Sequence, residues 1–333
     1  MSTQSRTTTR PGEPGPGVGP SGEARGPDRA KARSGPRSSL RQRTELTILL
    51  GPALVLFVGF VLVPIAVAVY YSIYKWNGFG PLKDVVGFGN YRRALTDTVF
   101  LHSIIHNVII AGLSLLIQLP LSIGIALLLN RKIRGRTFLR LVVFAPYVLS
   151  SAVTAVMWSL MLQPGGFIDH LSKAVGIGAH TWLADIHIVL YTIFVVASWQ
   201  YMGFGIVLLL AGLQGIPSEL REAAALDGAT AWQTTRMVIL PLLGPTIRIW
   251  IFLSMIGSLQ LFDLPWIMTG GGPANASSTM STYLIDKGFH SYEFGYGSAV
   301  AVILFVICFV FALLYQRFAL RRDTQGALTR MVR

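Results

Sequence analysis

The sequence predicts an all-α integral membrane protein with six transmembrane helices. Three observations carry this prediction. Of the 333 residues, 52% are apolar and only 13% are charged, whereas soluble domains carry about 25% charged residues. The apolar residues gather into six segments, each near or above the roughly 20 residues that cross the hydrocarbon of a bilayer. Most Lys and Arg residues lie on one side of these segments.

The predicted membrane domain extends over residues 44–320. Its six spans cover about residues 46–72, 104–129, 141–163, 187–213, 242–268 and 294–316. Backbone groups in lipid must be hydrogen-bonded within the segment, which long apolar runs achieve as helices. Arg248 lies near the start of the fifth span, from which its side chain can reach the interface.

Two tails flank the membrane domain. Residues 1–43 are rich in Pro, Gly, Ser, Thr and Arg, a composition typical of a disordered basic tail and unlike a cleaved signal peptide. Residues 321–333 form a second, shorter tail. Of the 28 Lys and Arg residues, 22 fall on the side of the tails. The positive-inside rule therefore places both termini and the 217–241 loop in the cytoplasm.

The composition also argues against several classes of protein. The net charge of +13 comes from cations at the ends of apolar runs, so no nucleic-acid partner is predicted. Cys308, the single cysteine, lies within an apolar run, which rules out a disulfide framework within the chain. His102 and His106 lack acidic or thiolate neighbours at useful spacing, so no metal site is predicted. No P-loop, HExxH or GxSxG motif occurs, and no catalytic residue is predicted.

The 217–241 loop predicts two short helices joined by a glycine. Ser218 is a favourable N-cap, and Gly228 can adopt the left-handed conformation that ends a helix. Thr230 and Gln233 have the spacing of a capping box for a second helix. Partly apolar faces, which a soluble connector does not need, come from Leu220, Ala223, Ala224 and Leu226.

This loop resembles the EAA loop of permease subunits in binding-protein-dependent ABC importers, E-A-A-x3-G-x9-I-x-L-P. The chain has Glu222-Ala-Ala-Ala-Leu-Asp-Gly228 and, nine residues later, Val238-Ile-Leu-Pro241. It departs from the pattern only at Val238, where Ile is usual. In that family the loop docks into a cleft of the ATPase subunit. The resemblance implies that coupling to the ATPase depends on Glu222, Ala223, Ala224, Gly228 and Pro241.

A second stretch, Gln260-Leu-Phe-Asp-Leu-Pro-Trp-Ile-Met-Thr-Gly-Gly-Gly-Pro273, resembles the Q-x-F-D-x5-T-G-G-G-P segment of maltose-transporter-like carbohydrate importers. The likeness covers about residues 46–320. It continues at Phe88-Gly-Asn-Tyr91, Ser278-Thr279, Tyr283-Leu284 and Gly295-Tyr-Gly-Ser-Ala299. The glycine run also predicts a tight outer turn, because glycine ends the helix and lets the chain fold back closely.

Polar residues inside two spans are candidates for the substrate pathway. Gln200, Tyr201 and Phe204 share a face of span four, and Gln260 and Asp263 share a face of span five. Polar groups within a span are costly and usually face a cavity or another helix. Positional similarity to maltose-type permeases implies that sugar contacts lie near Gln200, Tyr201, Phe204 and Gln260. Interhelical hydrogen bonds and an aromatic interface belt are the alternative.

The resemblance implies a type I ABC importer permease for a sugar, with an oligosaccharide expected, in the bacterial cytoplasmic membrane. It also implies a second permease subunit in a heterodimer, two ATPase subunits and an extracytoplasmic sugar-binding protein. No cofactor is expected in this chain, because ATP and Mg belong to the partner ATPase. Besides these proteins, membrane lipid is the expected partner.

Four functions other than ATP-driven sugar import are the alternatives. An ion-coupled secondary transporter would carry buried charge pairs and would not need the EAA loop. A membrane-embedded enzyme would carry clustered acidic, His or Cys residues within its spans. A receptor or scaffold is a third alternative. An ABC permease for another solute, such as glycerol phosphate, stays open because the sequence does not identify the substrate.

Overall fold

The computed structural model describes residues 37–131, 133–176 and 180–320. Most of the predicted N-terminal tail and the whole C-terminal tail therefore lie outside the described residues. The chain divides into two units, 1–57 and 58–333, and each is described by itself.

The described part of the first unit is one helix, α1 (Arg37–Phe57). It begins seven residues before the predicted start of the membrane domain, and thus within the predicted tail. Arg37, Leu40, Arg41, Gln42 and Arg43 are good helix formers. They extend the helix beyond its apolar part.

The described residues of the second unit form helices joined by loops, the longest of which covers residues 73–88, and no strand is described among them. Helices before the central span are α2 (Val63–Ser72), α3 (Gly89–Thr96), α4 (Thr98–Leu113), α5 (Leu119–Asn130), α6 (Arg136–Val148), α7 (Ser151–Leu162) and α8 (Phe167–Ala174). The remaining helices are α9 (Val189–Gln214), α10 (Ser218–Leu226), α11 (Ala231–Thr234), α12 (Leu240–Leu259), α13 (Asp263–Thr269), α14 (Met280–Ile285) and α15 (Phe294–Tyr315).

Five helical stretches within the described residues are long and apolar enough to cross a membrane. They are Thr47–Ser72, Thr98–Asn130, Val189–Gln214, Ala231–Thr269 and Phe294–Ala319. The predicted third span at 141–163 is not one continuous helix, since α6 and α7 meet at 98° and make a sixth span only if the bent pair counts as one. Pro146 removes a helical hydrogen bond in the last turn of α6, and Leu149 and Ser150 are extended.

Helix α9 is the centre of the second unit. In its most apolar window 56% of the residues are buried, against 28% or less in the other long spans. Gly203 and Gly205 allow neighbouring helices to approach closely. A Cβ atom at Gly203 would overlap the carbonyl group of Val143 in α6, and one at Gly205 would overlap the ring of Trp250 in α12.

Three π-helical turns interrupt the long helices just before a proline. They cover Val58–Leu62, Ser114–Gln118 and Thr235–Ile239, and they precede Pro64, Pro120 and Pro241. Proline has no N–H and its ring collides with the carbonyl one turn back. A wider turn accommodates both effects and lets the span continue.

Candidate substrate cavity and coupling surface

A cavity of about 470 Å³ lies among α4, the π-helical turn after it, α6, α9, α12 and the segment that follows α12. This volume falls within the range of roughly 300–1,000 Å³ typical of small-molecule sites. Its aromatic lining consists of Tyr147, Phe194, Tyr201, Phe204, Trp250 and Phe262. Its polar lining consists of Ser114, Gln118, Ser198, Ser254, Ser258, Gln260 and Asp263.

Two predicted pathway residues of α9, Tyr201 and Phe204, line this cavity. The hydroxyl group of Tyr201 is 2.9 Å from the hydroxyl group of Ser151, at the start of α7. The ring of Phe204 stacks on that of Tyr147, with centroids 5.1 Å apart. Partners outside α9 therefore hold both side chains at the cavity wall.

Gln260 and Asp263 also line the cavity, and both are exposed. They lie on either side of a short break in the fifth span, where α12 ends at Leu259 and α13 begins at Asp263. The predicted span 242–268 is therefore not one regular helix. The break brings both polar side chains to the cavity at one level of the bundle.

Gln200 lies outside the cavity lining. Its residue is only 1% exposed, and its amide nitrogen donates to the Leu149 carbonyl at 3.1 Å and to the Ser151 hydroxyl at 3.4 Å. Its amide oxygen has no hydrogen-bond partner among the described residues. Gln200 therefore contacts the corner between α6 and α7.

Several polar residues of the cavity were not predicted from the sequence. Ser254 donates to the amide oxygen of Gln118 at 3.4 Å, and both side chains line the cavity. Gln118 is a polar residue within the apolar run of span two, which is the signal that could have identified it. Its π-helical turn, Ser114–Gln118, places it opposite α12.

Residues 217–241, called the coupling loop from here on, contain the predicted first helix, α10, and the predicted restart at α11. The second helix is not a separate short one, because α11 continues through the π-helical turn Thr235–Ile239 into α12. Gly228 has a left-handed φ of 80° at the end of α10. The N–H of Gly228 donates to the Ala225 carbonyl at 3.1 Å, and that of Ala229 donates to the Ala224 carbonyl at 2.9 Å. These two bonds form a Schellman motif, which satisfies the last carbonyls of the helix.

The two helix starts in this loop differ from each other. Thr230 and Gln233 form the predicted capping box before α11, with bonds of 3.3 and 2.8 Å. The predicted N-cap at Ser218 is wrong, because Ser218 is already helical and Pro217 occupies the cap position. Proline at 217 is pre-set in φ, so the helix begins directly after it.

The coupling loop presents large apolar side chains to its surroundings. Leu226 is 90% exposed and Trp232 is 68% exposed, and Met237 and Leu220 are also exposed. Glu222, Ala223 and Pro241 are exposed as well, and Ala224 is half-buried. Exposed apolar surface of this kind marks a protein or membrane contact. Trp232 and Met237 were not predicted from the sequence, although a large apolar side chain in a polar loop is the signal that identifies such residues.

Hydrogen bonds hold the segment that follows the glycine run Gly270–Gly272. Gly270 is left-handed at the end of α13, and the Asn107 side chain accepts from the Met280 N–H at 2.9 Å. The hydroxyl of Tyr283 donates to the Asp97 carboxylate at 2.9 Å. Burial and hydrogen bonds to Tyr296 and Asp97 raise the pKa of Tyr283, so its hydroxyl stays protonated as a donor.

His102 and His106 have backbone partners. His106 Nδ1 lies 2.8 Å from the Ser278 carbonyl, and His102 Nδ1 lies 2.7 Å from the Thr98 carbonyl. Within the described ranges no group of three His, Cys, Asp or Glu residues has the arrangement of a metal site. Cys308 is buried in α15.

Comparison with known proteins identifies a family for this chain and a solved structure with the same fold. The profile of the family described as "Binding-protein-dependent transport system inner membrane component" matches residues 118–324. The trehalose/maltose transport system permease protein MalF of Thermococcus litoralis is 31% identical over 274 residues, covering 82% of this chain and 92% of the relative. The diacetylchitobiose uptake system permease protein NgcF of Streptomyces coelicolor is 31% identical over 291 residues, covering 83% and 82%.

A solved structure shares the fold. It is the crystal structure of a bacterial ABC transporter involved in the import of the acidic polysaccharide alginate, and one of its chains superposes with a TM-score of 0.75. The two chains are 22% identical, and the match covers 86% of this chain and 99% of the other.

Proposed function

We propose that this chain, which belongs to the family of binding-protein-dependent transport system inner membrane components, is one of two permease subunits of an ATP-driven importer for a saccharide. We expect an oligosaccharide. The observation that carries the proposal is the coupling loop. Hydrogen bonds within the loop cap the end of α10 and the start of α11, and the large apolar side chains of Leu226 and Trp232 are exposed.

The coupling loop contacts the ATPase subunit. Glu222, Ala223 and Ala224 lie on α10, whose small side chains let another protein surface approach closely. Gly228 sets the angle between α10 and α11, because its left-handed backbone turns the chain there. Pro241 lies at the start of α12, so movement of the loop passes directly into a span that lines the cavity.

The cavity supplies half of the substrate pathway. Tyr201 and Phe204 offer an aromatic wall and a hydroxyl group, and Gln260 and Asp263 offer hydrogen-bonding groups across from them. Sugars combine apolar ring faces with hydroxyl groups, which suits a lining of aromatic rings and a few polar side chains. Gln200 contributes by positioning, because it binds the corner that holds Tyr201.

The complete importer contains further chains. A second permease completes the pathway, two ATPase subunits bind ATP and Mg, and an extracytoplasmic binding protein delivers the sugar. We place both termini and the coupling loop in the cytoplasm, and the importer in the bacterial cytoplasmic membrane, because Lys and Arg are concentrated on that side. Closure of the ATPases would then move the cavity from outward-facing to inward-facing.

Reconstitution into proteoliposomes tests this function. Uptake of a radiolabelled saccharide is expected only when both permeases, the ATPase, the binding protein and ATP are present, and vanadate should block it. Uptake driven by an ion gradient without ATP would favour the secondary transporter instead. A topology reporter fused near Ala225 should report the cytoplasm, and a signal from outside the cell would contradict the coupling role.

A further inference from the structure

Helix α8 (Phe167–Ala174) has buried polar side chains and exposed apolar ones. Asp169 is 3% exposed and Ser172 is also buried, whereas Phe167 and Leu171 are 63% and 50% exposed. Val175, directly after the helix, is 67% exposed. A helix on the surface of a soluble protein shows the opposite arrangement. The described part of the chain therefore leaves the apolar face of α8 uncovered.

The exposed side chains form one stripe along the helix. Phe167, Leu171 and Val175 follow one another at intervals of four residues, which places them on the same face. Val175 continues this face because its backbone is still in the right-handed helical region. These three side chains are called the apolar stripe below.

The opposite face of α8 binds within its own segment. The Asp169 carboxylate accepts from the Gly165 N–H at 2.9 Å and pairs with the Lys173 ammonium group at 2.8 Å. The Ser172 hydroxyl donates to the Asp169 carbonyl at 2.9 Å. The ion pair joins the one acidic side chain of α8 to its lysine. The helix therefore lacks an unpaired carboxylate or ammonium group with which to steer a soluble partner.

The place of α8 in the chain puts it at the edge of the membrane-spanning segments. It follows α7, which ends at Leu162, and precedes α9, which begins at Val189. The other end of α9 leads into the coupling loop, so α8 belongs to the opposite side of the membrane. Helix α7 also has exposed apolar side chains, namely Val153, Val156 and Leu160.

Lipid acyl chains, a second subunit or a soluble binding protein could cover the apolar stripe. A soluble protein that binds and leaves would return Phe167 and Leu171 to water each time, and this loses the favourable free energy of apolar burial. Amphipathic helices in the plane of a membrane surface direct Phe and Leu side chains into the acyl boundary. The exposed apolar surface of α7, which leads directly to α8, favours the same medium for both.

We propose that α8 is an interfacial helix, and that its apolar stripe enters the acyl-chain boundary of the leaflet opposite to the coupling loop. The partner is the lipid surface. Because α8 packs against α7, and α7 packs against α13 at the cavity, this anchor holds the outer end of the bent pair. The inference goes beyond the proposed function, since it requires a membrane but neither ATP nor a saccharide.

The experiment uses the assembled importer in lipid nanodiscs, made free of cysteine, with Cys308→Ser in this chain. A nitroxide spin label is attached at Phe167→Cys or Leu171→Cys. Lys83→Cys, an exposed polar position in the loop 73–88, is the aqueous control. Electron paramagnetic resonance measures collision of the label with oxygen, which concentrates among acyl chains, and with a neutral nickel chelate, which stays in water.

We expect the ratio of oxygen to nickel collision to be several-fold higher at Phe167→Cys and Leu171→Cys than at Lys83→Cys. The ratio should not change when the binding protein is added. A ratio equal to that of the control would show that the stripe faces water and would overturn the inference. Collision with neither reagent would overturn it too, because protein would then cover the stripe, as would a ratio that falls on addition of the binding protein.

A second measurement removes the anchor and reports on it from the end of the helix. Phe167→Ser combined with Leu171→Ser should lower the ratio several-fold at a label on Val175→Cys. Phe79→Ser, which removes an apolar side chain of 69% exposure from another loop, should leave that ratio unchanged. A ratio at Val175→Cys that is insensitive to loss of the stripe would contradict the anchoring role.

Uptake by the same preparations separates the two proposals. ATP-driven saccharide uptake by an importer whose apolar stripe faces water would overturn the membrane anchor alone. Uptake that needs neither ATP nor the ATPase would overturn the proposed function alone, whatever the collision ratio.

Discussion

The hydroxyl groups of Tyr201 and Ser151 lie 2.9 Å apart and join the wall of the cavity to the corner between α6 and α7. Gln200, the neighbour of Tyr201, binds the same corner through the Leu149 carbonyl. One turn of α9 thus lines the cavity with Tyr201 and binds the bend between α6 and α7 with Gln200.

Tyr201→Phe should weaken uptake by raising the half-saturation concentration, because the ring loses the bond that orients it. A hydrogen bond of this kind contributes about 0.5–1.5 kcal/mol. Ser151→Ala should have a similar effect, and the double variant should be less than additive, since both remove one interaction. Uptake kinetics of the single and double variants measure the half-saturation concentrations. Tyr191→Phe, on the exposed face of α9, is the control, and additive effects would show that the bond does not matter.

Gln260→Ala and Gln200→Ala should both raise the half-saturation concentration or abolish uptake, but for different reasons. Gln260 is exposed at the cavity, so its loss should leave thermal stability unchanged. Gln200 is buried, and its loss leaves the Leu149 carbonyl without its side-chain donor, which costs about 1–3 kcal/mol. Thermal unfolding in detergent alongside uptake separates the two. Unchanged uptake in either variant removes that residue from the pathway.

Combining Glu222→Ala with Gly228→Pro should abolish transport-coupled ATP hydrolysis while membrane insertion continues. Proline fixes φ near −65°, whereas Gly228 requires +80°, so the angle between α10 and α11 must change. ATPase activity stimulated by the binding protein is the measurement. Glu219→Ala, an exposed acid on the same helix, is the control. Full stimulation in the double variant would contradict the coupling role.

Leu226→Ser and Trp232→Ser should reduce co-purification of the ATPase with the permease. Burying a large apolar side chain at an interface contributes about 1.5–3 kcal/mol, and both side chains are free to do so. Phe79→Ser removes an equally exposed apolar residue elsewhere, at 69% exposure, and should leave the complex intact. Equal recovery of the ATPase in all three variants would argue against docking at these residues.

Gly203→Ala should destabilise the chain, because the added methyl group meets the Val143 carbonyl of α6. Overpacking of this kind costs about 1–3 kcal/mol. Gly112→Ala, in α4, meets no atom within 4 Å and should be neutral or stabilising, since alanine favours helix by up to about 1 kcal/mol. Thermal unfolding in detergent compares the two, and equal shifts would contradict this view of α9.

The sequence predicted the long helices because apolar length and the need to satisfy backbone groups in lipid decide them locally. Gly228 and the Thr230–Gln233 capping box were likewise predictable, since each depends on neighbouring residues alone. The corner at Leu149 was not, because it requires tertiary partners such as Gln200 to hold two extended residues within an apolar run. Gln200 was predicted at the cavity but lies outside its lining, because its position also depends on tertiary contacts with this corner.

The self-capped coupling loop has a thermodynamic consequence. Both of its turns are fixed by bonds within the loop, so little conformational freedom remains to be lost when a second protein binds. Association with a preorganised segment keeps more of its contact energy as affinity. Docking of an ATPase on this surface therefore does not require the loop to refold.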